Sequence, residues 1–181
     1  YLAARRDWRG VLREVARIGG QADLATLALA GDAAFQLGDS ARGAAYYDQV
    51  ERSARAQPEP FARQWTQFCL EHRRHPAETL AVLEREISER PDVMGYQLLA
   101  WAYLNAGDPA RANAAISSAL RLGTRDGLLH YLAGEARLAA GDAKAARRHF
   151  ATALAINPNF HHIRSDSART QLRRLAIWPA E

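Results

Sequence analysis

The chain has 181 residues, 48% of them hydrophobic and 24% charged, enough for one elongated domain of ordinary soluble composition. No run reaches the roughly 18 apolar residues of a membrane span, and the single cysteine, Cys69, excludes an internal disulfide. The net charge of +4 rests on arginine, with Lys144 the only lysine, so it reads as the coding bias of a GC-rich bacterial genome before it reads as nucleic-acid binding.

The sequence opens at Tyr1 with neither a Met nor a signal-peptide pattern, and is expected to be a processed product or a piece of a longer protein. Residues 1–18 read as one helix with Leu2, Trp8, Val11, Leu12, Val15 and Ile18 on its apolar face. Arg5, Arg9, Arg13 and Arg17 make a basic stripe on the same segment, read as a solvated face ahead of a docking surface for an acidic partner. Arg6-Asp7-Trp8 sits where later units place a turn, which makes 1–19 a half repeat.

A helix pair is expected over 22–57. Leu24, Leu27, Ala30, Gly31, Ala34 and Leu37 mark its first helix, Gly38-Asp39 its turn, and Gly43, Tyr47 and Val50 its second. Pro58 and Pro60 mark the break before a third pair, 58–91. That pair carries Phe61, Trp65 and Phe68, then a turn Arg73-Arg74-His75-Pro76 without Gly-Asp, then Leu80, Leu83 and Ile87. Its two helices fit one register only with an extra residue or two in the turn.

The pairs 92–124 and 126–158 are regular. Tyr96, Leu99, Ala100 and Tyr103 precede Gly107-Asp108, with Ala112, Ile116 and Ala119 after it. His130, Ala133, Gly134 and Leu138 precede Gly141-Asp142, with Ala146, Phe150, Ala153 and Pro158 after it. The two runs are offset by 34 residues, the mark of a stacked repeat. A terminal helix over 159–177, with Phe160, Ile163, Ala168, Leu172, Leu175 and Ile177 inward and Arg164, Arg169, Arg173 and Arg174 outward, is expected to cap the open end.

With these residues in view, the unit at 126–158 resembles a tetratricopeptide repeat, matching at Gly134, Gly141, Ala146, Phe150, Ala153 and Pro158. The unit at 92–124 matches at Tyr103, Gly107, Ala112 and Ala119, and departs with Ala100, Ile116 and Thr124. The resemblance implies an all-α fold of about ten helices. Antiparallel pairs would stack into a right-handed superhelix, a single solenoid over 1–181 whose concave groove binds peptides or protein segments. In that arrangement the first helices line the groove with Asp32, Phe35, Gln97, Trp101, Leu104, Asn105, Tyr131, Glu135 and Leu138, and the terminal helix adds Arg169. Trp101 is read as an accessible, partly packed anchor. The family's clamp for C-terminal carboxylates has no counterpart at Gln97, Trp101, Tyr131, Leu132 and Glu135. An amphipathic helix or extended apolar peptide suits the groove better.

No phosphate-binding loop, nucleophile elbow or paired-cysteine zinc motif occurs, and no catalytic residue, cofactor or metal site is expected. Cys69, His72 and His75 are read as a buried thiol beside two polar residues near a turn. His161-His162 is read as opening the last helix, the two rings pointing apart. The expected function is a protein-interaction scaffold in the bacterial cytoplasm or periplasm. The alternative is a regulatory or positioning domain of a larger enzyme, secretion or polysaccharide-export protein; nucleic-acid binding through the arginine stripes ranks behind both.

Overall fold

The computed structural model describes residues 2–56, 58–121 and 123–176, those at 58–62 by backbone only. Among the described residues there are ten α-helices and no strand. The Phe61 side chain and Ile177 lie outside this description. No described helix is long and apolar enough to cross a membrane. The chain divides into two compact units, residues 1–74 and 75–181. The division falls inside the expected third pair, at its turn. Unit 1 contains α1 (Trp8–Ile18), α2 (Leu24–Gln36), α3 (Ser40–Ala56) and α4 (Pro58–His72). Unit 2 contains α5 (Pro76–Glu89), α6 (Val93–Asn105), α7 (Pro109–Leu120), α8 (Gly127–Ala139), α9 (Ala143–Ile156) and α10 (Arg164–Ala176).

Aspartate starts most of these helices. Asp7, Asp23, Asp39, Asp92, Asp108, Asp126 and Asp142 each accept a bond from the backbone N–H three residues on, at 2.7–3.0 Å. Each such bond satisfies a donor the helix leaves open and contributes about 0.5–2 kcal/mol. Asp39, Asp108 and Asp142 also close the helix before them. Asp108 N–H donates to Tyr103 O and Gly107 N–H to Leu104 O; Asp142 and Gly141 repeat this on Arg137 and Leu138. These paired bonds need a residue at positive φ, and Gly107 (76°) and Gly141 (83°) supply it.

Two turns make the same bonds without glycine. Arg6 at φ 58° and Arg73 at φ 52° occupy the left-handed position, with Asp7 N–H bonded to Leu2 O and Arg74 N–H to Cys69 O. The turn at Arg6 divides the helix expected over 1–18: residues 3–5 form one 3-10 turn and α1 begins only at Trp8. The turn at 73–75 holds a second positive φ at His75, the residue before α5. His75 lies 36 residues after Asp39, whereas Asp142 lies 34 after Asp108. That is the extra length the register of the third pair called for.

Packing within the pairs follows a size rule. In α8–α9 a Cβ placed on Gly134 would lie 2.5 Å from the Phe150 ring, so the aromatic occupies the space the glycine vacates. Gly31 stands in the same relation to Tyr47 in α2–α3. In α6–α7 both partners change together: Ala100 and Ile116 replace glycine and aromatic, and both are buried. At each pair a larger residue on one helix thus goes with a smaller residue on the other. Tyr103 joins three helices of unit 2. Its hydroxyl donates to Glu84 Oε1 of α5 at 2.9 Å, and the Arg111 guanidinium of α7 lies 4.6 Å from its ring centroid.

The terminal helix starts later than the apolar pattern suggests. Residues 158–163 form turns and bends, and α10 begins at Arg164. His161 Nδ1 accepts from Ile163 N–H (3.1 Å) and Arg164 N–H (3.3 Å), while Ser165 Oγ accepts from His161 N–H (3.1 Å). His161 and His162 therefore lie ahead of the helix. Their rings are stacked with centroids 4.5 Å apart, and do not point apart as a helical position would require.

Candidate functional site

Each unit carries a cluster of polar and aromatic side chains drawn from several helices. In unit 1, Asp32 of α2 is 5% exposed and accepts a 2.5 Å bond from Tyr47 Oη of α3. His72 of α4 packs on Tyr47 and Phe68, with centroids 4.4 and 4.7 Å away, and its Nδ1 lies 3.8 Å from Asp32 Oδ1. Burial, and the acceptor Asp32, push the Tyr47 hydroxyl far up from its ordinary value. Asp32, expected along a groove, is thus committed to joining α2 to α3. Phe35, 40% exposed, covers Gly43 and packs against Tyr47 with the rings tilted and their centroids 5.2 Å apart.

In unit 2 the cluster is built from α6, α8 and α10. Trp101 of α6 is only 3% exposed, and the Arg164 guanidinium of α10 lies 5.6 Å from its ring centroid. Tyr131 of α8 is buried against Phe150 and Phe160, with centroids 5.8 and 5.7 Å away. Burial and the neighbouring Glu135 raise the Tyr131 hydroxyl to about 12, against the lowering effect of Arg164 and Ser167. Burial also raises the Glu135 carboxyl, opposed by Arg164 and the Tyr131 hydroxyl. Glu135 Oε1 is buried without a hydrogen-bond partner among the described residues. Such an acceptor costs on the order of 1–3 kcal/mol while it stays unsatisfied.

The expectation that Trp101 is only partly packed is corrected by its burial. The Arg164 guanidinium of α10 lies over its ring. Arg164, read from the sequence as facing outward, is the arginine of this cluster. Arg169 donates to Asp166 (2.9 Å) and to the Pro158 carbonyl, holding the turn after α9 against α10. Gln97 is buried as well. Leu104, Asn105, Glu135 and Leu138 are half-buried and form the accessible part of this face. The offset of 34 pairs Leu104 with Leu138 and Trp101 with Glu135. Trp101 and Tyr131 are diagonal neighbours in the repeat.

A third grouping was missed by the sequence reading. His130 of α8 and His149 of α9 share a hydrogen bond, Nδ1 to Nδ1, at 3.1 Å. The two residues lie 19 apart on different helices, so no local spacing pattern announces them. Burial pushes the His130 imidazole below its ordinary value, against Asp126. His149 is lowered by burial, then by His130, Arg137 and Arg148, against Asp142. A lowered folded value means the unfolded chain binds more protons below about pH 6.5. The pair's contribution is therefore complete above that pH and is lost as pH falls through the folded values. Thermal midpoints measured at pH 7 and pH 5 should fall more for the parent than for His130→Asn. An equal or smaller fall in the parent would contradict this.

Among the described residues no group of three or more His, Cys, Asp or Glu is placed to hold a metal ion. Cys69 is buried in the core of unit 1. Comparison of the chain with protein-family models, with curated proteins and with solved structures finds no match in any of the three.

Proposed function

We propose that the chain is a tetratricopeptide-like scaffold that binds a peptide or helical segment of a partner protein, with no chemistry of its own. The observation that carries this reading is the face of α6 and α8 in unit 2. There, half-buried Leu104 and Leu138 repeat at the 34-residue offset beside Glu135, whose buried Oε1 lacks a donor. An apolar segment of a partner would cover the leucines. The fixed turns, capping aspartates and size-matched pairs hold this face rigid, which lowers the entropic cost of binding.

Several arginines favour this reading over a nucleic-acid interface because acidic neighbours engage them: Arg17 with Glu14, Arg111 with Asp108 and Glu84, and Arg169 with Asp166. The test is affinity capture with the parent and with Leu104→Glu/Leu138→Glu. The expected result is a protein retained by the parent, lost by the double variant, and kept by Arg5→Glu/Arg9→Glu. Retention by the leucine variant combined with loss on arginine reversal would overturn the reading.

A further inference from the structure

We propose that His130 and His149 form a two-histidine site for a first-row transition-metal dication such as Zn2+, with water completing its coordination. The two Nδ1 atoms lie 3.1 Å apart across the α8–α9 pair. A dication about 2.0–2.1 Å from each nitrogen holds them about 3.0–3.4 Å apart at N–metal–N angles of about 95–110°. The observed separation falls inside that range. A single proton, donated by one ring to the other, now occupies the space between the nitrogens. Shifting that proton to Nε2 frees both lone pairs, and rotation of each ring about χ2 turns them toward one point.

The surroundings suit a dication. Imidazole is a favoured ligand of zinc, copper and nickel. Both rings are held below their ordinary proton affinity, so protons compete weakly at neutral pH. Both are half-buried, which leaves solvent access for the water ligands. The carboxylates of Asp126 and Asp142 favour a cation here, while Arg137 and Arg148 oppose it. The backbone is fixed beforehand: Asp142 caps α9, and fully buried Phe150, next to His149, fills the space beside Gly134.

The test is titration of the full chain with ZnCl2 at pH 7.5, followed by calorimetry and by imidazole 15N resonances. The expected result is one equivalent bound, with both rings in the Nε2–H tautomer and both Nδ1 atoms shifted by the metal. Two ligands on one ion gain from effective concentration, so His130→Asn and His149→Asn should each weaken binding about tenfold or more. His162→Asn should leave it unchanged. Metal-free melting of each variant reports whether the fold is intact, and the 15N readout on the parent does not depend on any variant. Failure of the parent to bind, binding that leaves these two rings unshifted, or binding that survives both substitutions would overturn the proposal.

Discussion

Phe150→Ala is expected to lower the stability of the chain by about 3–5 kcal/mol, the range for removing a buried aromatic ring. Phe150 is fully buried, and its ring fills the gap left by Gly134 on the facing helix. α8 has no side chain at Gly134 that could move into the hole, so little of the cavity can collapse. Gly134→Leu attacks the same contact from the other side, since a Cβ there already meets the ring at 2.5 Å. Overpacking of that kind costs about 1–3 kcal/mol. Chemical denaturation of both variants checks the pairing, and a parent-like midpoint for both would show that the α8–α9 interface is misplaced.

Trp101→Ala should destabilise by a similar amount, about 3–5 kcal/mol. The sequence reading expected an accessible, partly packed anchor instead. The difference lies in its burial. The indole is 3% exposed, with the Arg164 guanidinium above its ring. Truncation removes a large buried surface and also the seat of a cation, whose own interaction is worth about 0.5–2 kcal/mol. Arg164→Gln separates the two terms and should cost only the smaller one. If Trp101→Ala melts like the parent, Trp101 is not packed as described.

The sequence made the helix pairs legible where chemistry is local. Gly107-Asp108 and Gly141-Asp142 encode a closing turn and a cap in two residues, and Gly134 with Phe150 encodes a close contact. It was less legible where tertiary packing decides. Arg6 and Arg73 take a glycine conformation because the following backbone bonds hold them there, and neither residue type signals it. Trp101 is buried with Arg164 of α10 over its ring, a partner that no helical wheel of α6 contains. The stacking of His161 on His162 follows from the late start of α10, set by His161 acting as an acceptor for backbone N–H groups. Asp32 looked like a polar groove residue because its acceptor role toward Tyr47 spans two helices.

The most direct test of the binding face is site-specific photocrosslinking. A benzophenone amino acid replaces Leu138 on the accessible face of α8 in one protein, and exposed Arg147 on α9 in another. Both are irradiated in native lysate. The account predicts a discrete protein adduct from position 138 and none from position 147. An adduct from 147 with none from 138 would contradict it.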